Sequence, residues 1–358
     1  MQSQPGTSSV REIATRAGVS ATVVSAVLLG KDARSRSVRF SAATAARVKT
    51  VATELGYVPN RLTQSILRRE SFAIAAISPW PHHDRYSSII RSLALSCQAH
   101  GYHLLLEPCG FDHQEVMERL RALVALQVGA VVLVPAGSTH VDPSVVMREH
   151  QEKLAICPNI FCADWFRDEL VFDCVEPDER QMVALPLRHL HALGHRQIGI
   201  IGNGTPRRRR FLQAELADLG LLDFLDTALA GFLPNRNLEV DDVPELTRRL
   251  LARQPRPTAL YCWRDSFAAS AYRVCEDEFG LKVGRDIALV GQDDTTLAEG
   301  LPTPLTSLSH RDDDFGAELY RLILARIGGE LAGPPVRRTV KPRLVIRASS
   351  QFSGPERR

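Results

Sequence analysis

No stretch of 18 apolar residues occurs in the chain, so no membrane-spanning helix is expected, and the first twenty residues lack the apolar core of a secretion signal. No C-x-x-C pair is present. The seven cysteines, an odd number, fit a reduced interior better than a disulfide framework or a zinc site. Gly199, Gly202 and Gly204 follow an apolar run, but their spacing is not G-x-G-x-x-G, and Pro206 and four arginines come next, so dinucleotide cradling is set aside. There is no repeat at solenoid spacing, and the closing segment 351–358 holds no heptad helix that would join dimers into a tetramer. Spacing alone assigns no Ser-His-Asp or Cys-His constellation. His189 and His191, two apart, point to different faces of a helix, so they read as structural, while His82-His83-Asp84 is a weak metal candidate that reads better as cleft lining. No catalytic residue, cofactor or metal is expected, and the chain is not expected to be an enzyme.

The chain is long enough, at 358 residues, for two or three domains, and 44% hydrophobic content places it in the ordinary globular range. Its net charge of +3 is unevenly spread. Residues 1–70 hold eleven Lys and Arg against four acids, a net of +7, which leaves −4 for the remainder. A basic head on a mildly acidic body suggests a polyanion-binding module joined to something else. A solvated basic tail is the alternative, but the head carries regular apolar periodicity.

Ser9-Val10-Arg11-Glu12 has the form of a capping box, with Val10, Ile13, Ala14 and Ala17 at helical spacing behind it and Gly18 to close the helix. Ser20 then caps a second helix whose buried stripe is Val23, Val24, Val27 and Leu28. Helix, glycine-containing turn, helix is the helix-turn-helix pattern, which any pair of antiparallel helices can also show. A third helix is predicted from Ser41 to Leu55, ended by Gly56, with a fourth, shorter one after it.

Ile13-Ala14, Ala17-Gly18-Val19-Ser20, Val24-Ser25 and Leu55-Gly56-Tyr57-Val58-Pro59-Asn60 resemble the DNA-binding head of the lactose-repressor (LacI/GalR) family. The resemblance implies that the second helix enters the major groove and that a hinge helix after Pro59-Asn60 enters the minor groove. It places Ser9, Ser20, Ala21, Thr22, Val23, Ser25, Tyr57, Asn60, Arg61, Ile66 and Leu67 at the DNA, with Ala21 and Thr22 against base edges. Two departures stand out. Ala26 replaces the usual arginine, and the connection from Leu29 to Ser41 is about six residues longer than in the family. That loop carries Lys31, Arg34, Arg36 and Arg39, which would grip phosphates without reading sequence, or else stay solvated. Ile66 occupies the position of the family's wedge between base pairs, with pairing of two hinge helices as its other role.

From Phe72 the period changes. Strands are predicted at Phe72–Ile77, Tyr102–Leu106, Ala130–Val134, Asn159–Ala163, Gln197–Ile201, Thr258–Cys262 and Ile287–Val290, alternating with helices such as 87–100 and 115–126. This is the pattern of an α/β fold with parallel sheets, and about 280 residues call for two lobes. The resemblance extends over this body. Leu190–Ile198 looks like the family's L-x-x-L-G-H-x-x-I, Val290–Asp294 like V-G-[FY]-D-D, and 301–306 like the P-x-L-T that follows. It implies a small all-α helix-turn-helix head plus a two-lobed body like the periplasmic sugar-binding proteins. The expected boundaries are 1–58 for the head, 59–71 for the hinge helix and linker, 72–350 for the effector and dimerisation domain, and 351–358 for a tail. Within the body, the first lobe is expected over 72–173 and 303–327 and the second over 174–302 and 328–350.

Ligands of open α/β sheets bind beyond the carboxyl ends of the strands. That rule and the resemblance together place Trp80, His82, Asp84, Asp164, Trp165, Arg208, Arg264 and Asp293 at an effector cleft. Arg264 stands where the family commonly has Asn, and Gln292 replaces the aromatic of G-[FY]-D-D. Arg208 and Arg264 would clamp a carboxylate or phosphate. The alternatives are a solvated face at 207–210 with Arg264 paired to Asp265, or a cleft that binds no small molecule. The expected protein is thus a cytoplasmic, homodimeric transcriptional regulator, by family habit a repressor. It would bind a palindromic operator under control of a sugar, sugar acid or sugar phosphate, and touch no membrane. The runner-up is a small-molecule-binding α/β protein or enzyme with a vestigial head.

Overall fold

The structure, a computed structural model, describes residues 9–28, 38–58, 71–78, 84–109, 113–134, 159–163, 168, 170–202, 206–222, 231–232 and 238–351. The chain forms two compact units, residues 1–72 and 73–358.

In the first unit, helices α1 (Val10–Ala17), α2 (Ala21–Leu28) and α3 (Ala42–Glu54) enclose a core of Ile13, Ala17, Val24, Val27, Val48 and Val51. Local chemistry sets each end. Ser9, Ser20 and Ser41 hydroxyls accept the amides of Glu12, Val23 and Thr44 at 3.1–3.3 Å. Gly18, at φ +63°, donates back to Ala14 and Thr15 and lets the chain reverse between α1 and α2.

Among the described residues the body contains two six-stranded sheets. The first runs, in spatial order, from β11 (Arg337–Val340) through β5 (Asp173–Pro177), β4 (Asn159–Ala163), β3 (Ala130–Leu133) and β1 (Ala73–Ser78) to β2 (His103–Pro108), all parallel. The second runs from β12 (Arg343–Val345) through β10 (Thr306–Ser309), β9 (Ala288–Gln292), β8 (Ala259–Cys262) and β6 (Ile198–Gly202) to β7 (Gly231–Phe232). Its one antiparallel strand is β12 at the edge. Helices α4 (Asp84–Ala99) and α5 (His113–Ala125) serve the first sheet. Next come α6 (Glu179–Ala192), α7 (Pro206–Asp218), α8 (Val243–Leu251), α9 (Asp265–Arg273) and α10 (Thr296–Gly300), which serve the second. Helix α11 (Asp312–Ile327) returns to the first, where Phe315, Leu319 and Ile323 pack with Ile89 and Leu93.

The chain crosses between sheets after β5, after β10 and between β11 and β12. The lobe boundaries therefore differ from those expected. Residues 174–177 and 337–340 belong to the first sheet and 306–309 to the second, because these polar strands are held by distant partners. Thr306 donates to the Arg347 carbonyl at 2.9 Å, and its amide donates to Ser349 Oγ at 2.8 Å. Arg326 grips Asp173 through two bonds of 2.7 Å.

Two of the glycines that invited a phosphate loop, Gly199 and Gly202, serve packing, and Gly204 lies outside the described residues. A side chain on Gly202 would sit 2.5 Å from the Trp263 ring, and one on Gly199 2.8 Å from Leu260. The histidines are likewise part of the frame. His195 is buried with Nδ1 2.9 Å from Thr258 Oγ1, and burial pushes its pKa down to about 4. His189 Nε2 lies 2.8 Å from Ser350 Oγ. The six described cysteines are free and buried.

Candidate nucleic-acid interface and effector cleft

On the head, Ser20, Ala21 and Thr22 are exposed at the N-terminal turn of α2, with Val23 and Ser25 half-buried beside them. Ser20 is occupied as the N-cap, so the side chains free to meet another molecule at that turn are Ala21 and Thr22. Val24, Ala26 and Val27 face the core. At Ala26 the helix therefore offers a buried methyl where the family places a guanidinium. Ser9 caps α1, and Tyr57 packs on the head core with its amide on the Ala52 carbonyl. Among the described residues 9–58, Arg11, Arg16, Arg39, Arg47 and Lys49 are all exposed against two acids, Glu12 and Glu54, so this small unit is basic. Arg34, Arg36, Asn60, Arg61, Ile66 and Leu67 lie outside the described residues.

In the body, Trp80, His82, Asp164 and Trp165 also lie outside the described residues, and Asp84 opens α4. Arg208, Arg264 and Asp293 follow the carboxyl ends of β6, β8 and β9, which are parallel neighbours and share one edge. Trp263, just past β8, fills the notch left by Gly202, and the Arg208 guanidinium lies 4.8 Å from its ring centroid. Arg264 is half-buried and stacks 5.2 Å over Phe267. It does not pair with Asp265, whose two oxygens take Ser307 Oγ at 2.6 Å, the Thr295 amide at 2.7 Å and Thr295 Oγ1 at 3.0 Å. Burial, with Asp293 nearby, pushes the Asp265 pKa up to about 7. Asp293 adopts φ +104° and lies 3.1 Å from buried His310 Nε2. Its neighbour Asp294 meets Arg347 at 2.8 Å.

The arginine run is not a solvated face. Arg207 is buried, with Nε 2.7 Å from Glu179 Oε2 and a terminal nitrogen 2.6 Å from Glu176 Oε1. Arg208 Nε donates to the other Glu179 oxygen at 2.8 Å. Only Arg209 and Arg210 are exposed, and Arg210 meets Asp168 at 2.6 Å. A polar cavity of about 610 Å³ opens between the lobes, lined by Ser88 and Arg91 of the first and Asp293, Thr295 and Arg343 of the second, with Arg311 at a crossover. Sequence reasoning did not single out Glu176, Glu179, Trp263, His310 or Arg337. Their one local signal is the helix start Asp178-Glu179, since each partner lies far along the chain.

Comparison with known proteins agrees with this arrangement. Residues 9–60 match the bacterial regulatory proteins of the lacI family, and residues 187–350 match the periplasmic binding protein-like domain. The HTH-type transcriptional repressor CytR of Escherichia coli (strain K12) is 26% identical over 354 residues, 97% of this chain and 98% of that protein. The ribose operon repressor of the same organism is 28% identical over 324 residues, 89% and 92% of the two chains. Among solved structures, a lac repressor dimer bound to operator and the anti-inducer ONPF shares the fold, with a TM-score of 0.73 at 22% identity over 97% of this chain and 100% of that one. A complex of the transcriptional regulator CelR with cellobiose gives 0.65 at 25% identity, covering 96% and 100%.

Proposed function

The chain is a member of the LacI/GalR family, a LacI-type helix-turn-helix head joined to a periplasmic-binding-protein-like body, and on that footing we propose a sequence-specific transcriptional repressor that binds a palindromic operator as a homodimer. The observation that carries the reading is the head. A three-helix core buries Ile13, Val24 and Val48, while the exposed turn Ser20–Thr22 leads α2 on a basic surface. An α-helix fits the major groove, and dimer symmetry matches half-site symmetry. The proposed contacts are those of α2, with Ser9, Tyr57 and the segment Asn60–Leu67, including the Ile66 wedge. Arg34 and Arg36 add phosphate affinity. The proposed division is head 1–58, linker 59–71, body from 72, and the place of action is the cytoplasm.

The body senses a small molecule in this reading. CytR and the ribose repressor are named as repressors, and the CelR complex holds cellobiose, so a sugar-type ligand is the starting class. Arg264, with no carboxylate on it among the described residues and standing just past β8 at the carboxyl edge of the second sheet, favours a sugar acid or sugar phosphate over a neutral sugar. Effector and DNA are then coupled, typically by about 1–3 kcal/mol. A thermal-shift screen of neutral, acidic and phosphorylated sugars tests the ligand class. Stabilisation by acidic or phosphorylated compounds, lost in Arg264→Gln, supports it; stabilisation by neutral sugars alone overturns it.

A further inference from the structure

We propose that the arginine run at the start of α7 is a latch between the two lobes, so that the lobe angle is set in part by the chain's own charges rather than by bound ligand alone. The inference rests on the two-sheet body and is independent of the DNA reading. Arg207 and Arg210 stand on α7, which packs on α6 against the second sheet. Their acid partners come from the first. Glu176 is the penultimate residue of β5, and Asp168 lies in the connection between β4 and β5.

The two contacts differ in character. Arg207 to Glu176 is buried on both sides, with side-chain exposures of 9% and 2%, close to the crossover that follows β5. Arg210 to Asp168 is exposed, with both groups more than half accessible, and sits one helical turn farther along α7. Arg337 of β11 ties the first-lobe half together. It reaches Glu176 at 3.4 Å and donates to the Asp168 carbonyl at 3.4 Å. Glu179, at the start of α6, ties the second-lobe half by taking Arg207 on one oxygen and Arg208 on the other. Each half is thus braced on its own lobe, and among the described residues the bonds Arg207–Glu176 and Arg210–Asp168 span them. A rotation that opens the lobes has to break the spanning pair far from the crossover first. The planar guanidinium of Arg207, held at two edges by two glutamates, confines rotation near it to one geometry.

The test is the separation between spin labels on introduced cysteines, Gln98→Cys in the first lobe and Ala252→Cys in the second, both exposed positions. It is measured on the full chain without DNA or ligand. With the latch intact the distance distribution is narrow. Glu176→Gln, which keeps shape and removes charge, broadens it and shifts it, and so does Arg210→Gln combined with Asp168→Asn. The charge exchange Asp168→Arg with Arg210→Asp restores the narrow distribution. Helix content by circular dichroism stays at the parental value in each scored variant. If Glu176→Gln fails to fold, the exposed pair and its exchange decide. An unchanged distribution in the pair variant, or a shift that the exchange does not reverse, overturns the latch.

Discussion

Ile13 is the most informative residue to perturb. It is fully buried in a head core built from short side chains, chiefly valine and alanine. Replacing it by alanine deletes about three methyl or methylene groups, roughly 2.4 kcal/mol at ~0.8 kcal/mol each, and leaves a cavity that three short helices cannot close without losing their other contacts. A cost of about 3 kcal/mol is therefore expected. The helical head over residues 9–58 commands only about 3–7 kcal/mol at ~0.05–0.15 kcal/mol per residue. Ile13→Ala should then bring the head close to its unfolding midpoint near physiological temperature. The body, with separate cores on both faces of two sheets, should keep its own transition. Differential scanning calorimetry should show an early, small transition moved well down and the main one unmoved. Electrophoretic mobility shift should show operator binding falling with the same temperature profile. A variant with unaltered head melting, or one that binds duplex normally above the shifted transition, would refute both the packing assignment and the assignment of DNA binding to this unit.

Further outcomes follow from single contacts. Thr22→Ala should leave head stability unchanged while weakening a selected operator by about 1 kcal/mol, checked by fluorescence anisotropy on matched and scrambled duplexes. Ser20→Ala should cost head stability about 1 kcal/mol in thermal melts through loss of the 3.3 Å cap to the Val23 amide. His195 is kept neutral, with its pKa pushed down to about 4 against about 6.5 unfolded, so its contribution is complete above pH 6.5 and is lost as pH falls toward 4. His195→Gln should flatten the body's urea-unfolding stability over that window, and a variant with the parental slope would contradict the assignment. Gly202→Ala should destabilise the body by about 1–3 kcal/mol in urea titrations, since its methyl group would meet the Trp263 ring at 2.5 Å.

The head was legible in the sequence because its signals are local. Serine caps, the left-handed Gly18 and a 3.6-residue apolar stripe act within a few positions of one another. The central parallel strands were legible because they are buried on both faces and read as continuous apolar runs, as Ala130–Leu133 does. Five strands escaped notice, the two-residue Gly231–Phe232 for its shortness and the other four for the opposite reason. Asp173–Pro177, Thr306–Ser309, Arg337–Val340 and Arg343–Val345 carry charges or hydroxyls whose partners lie far along the chain, such as Arg326 for Asp173 and Ser349 for Thr306. The same non-locality hid the roles of the arginines. A run of four looks like a solvated face until Glu176 and Glu179 are seen to bury two of its members. Arg264 showed the reverse. Pairing with its neighbour Asp265 was the alternative to a ligand-facing role, but that carboxylate is spent on Ser307 and Thr295.

Selection of bound duplexes from a random DNA pool, run at low and moderate salt, tests the central claim most directly. A sequence-reading dimeric head should enrich a palindromic site with a deformable centre at both salt levels. Retention without enrichment, collapsing as salt rises, would mean that the basic head only grips phosphates, and would contradict the account.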